Sequence, residues 1–188
     1  MGADCATRRD DRPVALCSPG LASVGNIIDT MSIDDRVQQA YGAIMRSFVE
    51  TGRAPHYTQL ARTMGVEVEE ARSLQAEAVK LGVGAWMLPD TDVIESFAPF
   101  YNGQTTATLT VDGKGGWFAQ CFLEGLAARW VFPGQTVRMD ALCLDCGEST
   151  VVVMRDEEIL EVEPETSVGI MNYPLNPQLR SGLTGSFF

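Results

Sequence analysis

The sequence predicts an α+β protein: an N-terminal winged-helix-like helical module followed by a mixed domain with an antiparallel sheet. Three observations carry that expectation. Apolar residues recur at helical spacing through residues 32–81. Beyond residue 91 the pattern shortens to strand-like runs at 105–111, 136–142 and 149–154. Clusters rich in Gly and Asp, at 112–116 and 145–148, separate those runs as turns. The boundaries that follow are a disordered leader at 1–31, the helical module at 32–90 and the α+β domain at 91–188.

Composition sets the broad class. Hydrophobic residues make up 45% and charged residues 21% of the 188, which excludes disordered, collagenous and low-complexity chains. No run of ~18 apolar residues occurs, so no membrane-spanning helix is expected. In the leader, the apolar run Val14-Ala15-Leu16-Cys17 is cut off by Ser18-Pro19-Gly20 and is too short for a signal-peptide core. Met31 offers an alternative start. The expected compartment is the cytoplasm, where thiols stay reduced.

The first helix opens at Ser32, with Asp35 in the acidic position of a capping box. Val37, Ala40, Tyr41, Ile44, Met45 and Phe48 form its apolar stripe, and Thr51-Gly52 ends it. His56 follows Pro55 at the entry of a short second helix and reads as a surface or capping residue. That helix closes at Gly65. A third spans 66–81, with Val68, Ala71, Leu74, Ala78 and Leu81 on one face. A short helix, a Gly turn and a longer helix resemble a helix-turn-helix or winged-helix unit.

Charge argues against nucleic acid as its partner. The chain carries 25 Asp and Glu against 14 Lys and Arg, a net charge of -11. The third helix presents Glu67, Glu69, Glu70 and Glu77 against Arg72 and Lys80, where a recognition helix places cations near phosphates. The module is therefore expected to be scaffold.

In the second half, 105–111 reads as a strand and 112–116 as its turn. Residues 117–128 suit a strand end feeding a short helix, which Phe132-Pro133-Gly134 breaks. The runs 136–142 and 149–154 read as a hairpin about 145–148. The acidic stretch from Asp156 to Glu165 reads as a solvated edge, since it lacks the ligand and glycine pattern of a calcium loop. A further strand is expected over 168–173, and from Pro174 the chain is rich in Pro, Gly and Ser.

Chemistry-bearing residues centre on cysteine. One His in the chain excludes a multi-His zinc site within it. Cys121 and Glu124, at i and i+3, are expected on one face of a helical turn. A thiolate there captures a soft electrophile or metal, and the carboxyl moves a proton. Trp117, Phe118 and Phe122, with Leu126, are expected to shape a partly dry pocket that raises the pKa of Glu124 and keeps it a proton donor. The plain alternative is a buried structural cysteine beside an ordinary glutamate. Cys143 and Cys146 form a C-x-x-C, which reads as half a zinc knuckle, a redox pair, a soft-metal clamp for Cu(I) or Hg(II), or two ordinary thiols. No P-loop, GxGxxG, GxSxG or HExxH occurs.

Three stretches, LTVDGKGGWFAQCFLEGLAARWVFPG, TVRMDALCLDCGESTVVV and ILEVEPETSVGIMNYP, occur in that order within residues 109–174. Together they resemble the alkylmercury (organomercurial) lyase family. The helical region also looks like that family's N-terminal part, so the resemblance covers roughly residues 33–174. It implies a catalytic cysteine at Cys121 and the acid at Glu124, where the family usually has Asp. It also implies a mechanism in which a thiolate takes mercury from R–Hg⁺, a second thiol joins, and a proton is delivered to the leaving carbon. Mercury would then be substrate and product, with no resident cofactor. Cys121, Cys143 and Cys146 are the candidate metal-holding sulfurs.

The sequence also departs from the family. The family's second catalytic cysteine lies downstream of the stretch matching 168–174, and here no Cys follows Cys146. Cys143 matches a family cysteine that looks structural, and Cys146 is extra. Glu for Asp adds one methylene and moves the proton donor by roughly 1 Å, enough to retune a substrate. The expected partner is a small-molecule substrate, with no nucleic acid and no membrane; the sequence does not fix an oligomeric state. Three functions compete: a lyase acting on a carbon–metal bond, a lyase-fold protein using Cys121 and Glu124 on another small molecule, and a non-enzymatic soft-metal-binding or regulatory protein.

Overall fold

The computed structural model describes residues 32–171 and 186–187. The leader expected at 1–31, and the Pro-, Gly- and Ser-rich segment as far as residue 185, lie outside the described residues.

Three helices come first. α1 (Ile33–Thr51) starts at the expected capping box: the Ser32 hydroxyl accepts from the Asp35 amide at 3.1 Å, and the Asp35 carboxylate accepts from the Ser32 amide at 3.1 Å. Two N–H groups that a helix start leaves orphaned are thereby satisfied. α1 ends at Gly52, in the left-handed region at φ 72°, whose N–H closes onto the Phe48 carbonyl. α2 (Tyr57–Met64) is capped by His56, as expected: a ring nitrogen accepts from the Thr58 amide, and the Gln59 side chain accepts from the His56 amide at 2.8 Å.

α3 (Val68–Leu81) begins two residues later than the pattern suggests, because Glu67 is extended. Its buried face also differs. Val68 and Leu81, at the helix ends, are exposed, while Gln75 and Val79 join Ala71, Leu74 and Ala78 inside. Gln75 is fully buried because its amide donates to the Asp92 carbonyl at 2.7 Å, a partner that lies beyond any helical pattern.

A three-stranded antiparallel sheet follows the helices, with β2 (Ile94–Phe97) between β1 (Ala85–Met87) and β3 (Phe100–Tyr101). Three helices followed by this small sheet give the winged-helix-like order. The second sheet has five strands in the order β5-β4-β6-β7-β8, all antiparallel: β4 (Thr108–Val111), β5 (Lys114–Phe118), β6 (Val137–Leu142), β7 (Ser149–Arg155) and β8 (Glu158–Glu163). The fold is thus α+β, as the sequence predicts. The 112–116 turn shrinks to Asp112-Gly113, at φ 45° and 80°. Two positive φ values in a two-residue loop match the twist of the flanking strands, so Lys114, Gly115 and Gly116 are released into β5. The acidic stretch is the edge strand β8, where charge discourages pairing with another chain. Of the strand expected over 168–173, β9 (Ile170–Met171) is present and pairs with β10 (Ser186–Phe187).

Between β5 and β6 lie α4 (Phe122–Ala127) and a 3₁₀ turn (Ala128–Trp130). α4 sits so close to the five-stranded sheet that a Cβ on Gly125 would run into the Met139 sulfur and the Ala119 side chain. Helices and sheets belong to one compact unit, Ser32–Phe188. No helix among the described residues is long and apolar enough to cross a membrane.

The centre of the core is aromatic. Phe48 of α1 is fully buried and stacks on Phe97 and Phe100 at 6.3 and 5.4 Å between ring centroids. The Trp117 indole of β5 donates to the Phe48 carbonyl at 2.8 Å, and its ring meets Phe132 edge-on at 5.3 Å. Gly52 completes the junction, because a Cβ there would collide with the Gly116 carbonyl.

Gly52→Ala therefore carries two costs, a left-handed φ and a backbone collision. Gly65→Ala carries the first alone, since its φ is 68° with nothing within 4 Å. In urea unfolding, G65A is expected to lose about 1 kcal/mol and G52A at least ~2 kcal/mol. Equal losses would show that the α1–β5 approach is not tight.

Candidate functional site

Cys121 stands at the entry of α4. Its backbone is extended, at φ -151° and ψ 176°, and its carbonyl accepts from Gly125 N at 2.9 Å. It is therefore the N-cap, and Glu124 is the third residue of the helix. The two residues thus hold the N-cap and third helical positions of α4, with Cys121 extended at the strand-to-helix bend.

Cys121 is 8% exposed and opens on a cavity of about 160 Å³. The walls are residues 105–107, Gln120 to Phe122, and Ala141, Leu142 and Leu144. Leu142 and Leu144 stay about half exposed, 50% and 46%, and give the thiol an apolar rim.

Of the three aromatics expected around the thiol, Phe122 lines this cavity. Trp117 is committed to the Phe48 carbonyl and to Phe132. Phe118 lies beneath the Arg53 guanidinium, 5.9 Å from its ring centroid. Their apolar run is a strand of the sheet, and strand pleating sends neighbours to opposite faces.

Glu124 is half-buried, and that burial pushes its carboxyl above the usual carboxylate range. Tyr41 of α1 lies near enough to feel its charge: burial first, then the Glu124 carboxylate, holds the tyrosine hydroxyl above its ordinary value. The direction expected for Glu124 is present. Glu124 is not among the residues lining the Cys121 cavity.

Cys143 and Cys146 lie in the loop joining β6 to β7. The loop closes through the Cys143 N–H to the Glu148 carbonyl at 2.8 Å and the Gly147 N–H to the Cys143 carbonyl at 2.9 Å. Cys143 is half-buried and Cys146 exposed, and neither they nor Cys121 form a disulfide. Cys143 is flanked in sequence by the two leucines that wall the Cys121 cavity. The C-x-x-C loop therefore borders the first thiol. Among the described residues, no three His, Cys, Asp or Glu side chains gather as a metal-holding group, so the three thiols expected as one metal set do not converge as such.

Several site residues are not legible in the sequence. Gln120 precedes the thiol and is 5% exposed; its carbonyl oxygen accepts from the buried Ser96 hydroxyl of β2 at 2.9 Å. Leu142, Leu144 and the 105–107 segment reach the cavity only through the sheet. Tyr41 carries a signal of helical spacing, but that signal marks it as core.

No family model matches the sequence, and no curated protein matches it. Among solved structures, the fold is similar to the mercury-bound form of MerB2, with a TM-score of 0.59 and 18% identity over 87% of this chain and 74% of that one. At that identity the likeness shows the fold, a MerB-like α+β architecture.

Two measurements probe this geometry. With iodoacetamide on the native protein, mass mapping is expected to show exposed Cys146 alkylated well before buried Cys121; the reverse order would mean that the cavity opens. For Glu124, the folded-state pKa is raised, so the folded chain binds the proton more tightly than the unfolded chain. Stability from that proton is complete below the unfolded pKa and is lost as pH rises through the folded one. Glu124→Gln is therefore expected to gain stability on the wild type between pH 4 and pH 8 in urea unfolding. A constant difference would show that Glu124 titrates as if exposed.

Proposed function

We propose that this protein cleaves a carbon–mercury bond by thiolate capture and protonolysis, as a divergent relative of the alkylmercury lyases. The observation that carries the reading is the cavity in which buried Cys121 is walled by the loop holding Cys143 and Cys146. The MerB-like fold and the resemblance across residues 109–174 support it.

In this reading the Cys121 thiolate bonds to the mercury of R–Hg⁺. Soft sulfur suits a soft metal, and Hg(II) is content with two sulfurs, so a three-ligand cluster is not required. The carbon–mercury bond then breaks heterolytically. Its electron pair takes the proton of the Glu124 carboxyl, forming R–H, and the mercury stays Hg(II) throughout. Burial raises the Glu124 pKa and so favours the protonated carboxyl that this step needs, and half-exposure lets the carboxylate regain a proton from solvent. Cys143 or Cys146 supplies the second sulfur that holds the product. Phe122, Leu142 and Leu144 receive the organic group. Cysteines outside any disulfide, as these are, fit a reducing compartment such as the cytoplasm.

A second reading is a soft-metal-binding protein without turnover. One observation favours it: Glu124 does not line the cavity that holds Cys121.

Turnover of methylmercury and phenylmercury, read as hydrocarbon and Hg(II) released in excess free thiol, separates the two. Cys121→Ser is expected to abolish it, and Glu124→Gln to slow it by about 100-fold or more. Wild-type turnover in the Cys143→Ser, Cys146→Ser double variant would sink the loop as the source of the second sulfur. Tight Hg(II) binding at Cys121 with no cleavage of either substrate would establish the second reading.

A further inference from the structure

A larger cavity lies in the helical module, with nothing in common with the thiol site. It has a volume of about 520 Å³ between α1 and α2, within the range of small-molecule sites. Along α1 its wall is Ala43, Arg46, Ser47, Glu50 and Thr51, the spacing of one helix face; Gln59, Leu60 and Thr63 of α2 form the other side, and Arg53 to Pro55 the floor.

The polar groups are arranged unevenly. The Ser47 hydroxyl donates to the Arg53 carbonyl at 3.0 Å, and the Thr51 hydroxyl accepts from the Arg53 amide at 3.2 Å, so both hydroxyls brace the Arg53 backbone. One nitrogen of the Arg53 guanidinium donates to the Asn102 carbonyl at 2.7 Å, and the group lies over Phe118. That anchoring holds the fork in place, and its other N–H groups make no hydrogen bond among the described residues. Arg46 makes no ion pair or hydrogen bond among the described residues, although Glu50 is one helical turn away. Gln59 uses its oxygen on the His56 amide, which leaves its amide hydrogens.

Elsewhere in this acidic chain Arg36, Arg72 and Arg138 each hold a carboxylate. Among the described residues Arg46 and Arg53 hold none, and neither do Arg62, Arg129 and Arg155; of these, Arg46 and Arg53 line this cavity. The cavity wall carries the two guanidinium groups and the Gln59 amide against one carboxylate, Glu50, with Ala43, Ala54, Pro55 and Leu60 as an apolar lining.

We infer that this α1–α2 cavity is a binding site for a small oxyanion, a carboxylate- or phosphate-bearing molecule with a modest apolar part, gripped by Arg46 and Arg53. Planar guanidinium forks match both anions in paired hydrogen bonds. Binding here is independent of mercury chemistry.

The test is titration calorimetry of the full chain with inorganic phosphate and with benzoate, at constant ionic strength set by chloride. One-to-one saturable binding of at least one anion is expected, and which one binds identifies the headgroup. Arg46→Gln is expected to weaken it by about tenfold or more, the scale of a lost charge-assisted bond. Arg46 makes no ion pair or hydrogen bond among the described residues, so R46Q removes cavity charge without breaking either; an unchanged melting curve checks this. Arg62→Gln, on α2 but outside the cavity, is expected to bind as the wild type does. Absence of saturable binding by either anion, or equal affinity in wild type and R46Q, would overturn the inference.

Discussion

Everything else in the structure depends on how α1 ends. Its last turn is clamped against β5 by three features that require one another. Phe48 fills the space between Phe97 and Phe100. The Phe48 carbonyl, which would otherwise bond only along the helix, takes the Trp117 indole. Gly52 then turns the chain with no side chain to hold the Gly116 backbone away. A buried indole must find an acceptor, and this one finds it on a different element. The helical module and the five-stranded sheet are thereby joined through backbone and aromatic contacts.

That junction also positions the thiol. The chain runs directly from Trp117 of β5 through Gln120 into Cys121, and Gln120 is held by Ser96 of the small sheet. On the other side, α4 is pressed on Met139 at Gly125. The bend at Cys121 is thus fixed from both ends, and its side chain falls where β6 and the loop after it pass. The three-helix module and its small sheet thus carry contacts that hold this bend. The module also brings Tyr41 into the electrostatic range of Glu124.

Local signals were the most legible. The Ser32–Asp35 box, the stop at Gly52, the His56 cap and the β6–β7 hairpin all depend on groups within a few residues of one another, so short-range spacing exposes them. β1, β2 and β3 were missed because each is two to four residues long, and their pairing is set by partners in the tertiary structure. The Trp117 and Phe118 expectation failed for a related reason. Nearness in sequence to Cys121 suggests a shared pocket, but a pleated strand separates its neighbours.

By itself the sequence determined the α+β class, the chief helix boundaries, the cysteine and carboxylate at the α4 entry, and the acidic edge. Each is written in composition or in a periodicity that a chain expresses locally. Only the tertiary structure decided which side chains share a space. It set Leu142 and Leu144 beside Cys121, kept Glu124 out of that cavity's lining, and placed Arg46 and Arg53 in the wall of a cavity between α1 and α2. Those are long-range outcomes of strand order and helix packing, and no pattern of neighbouring residues encodes them.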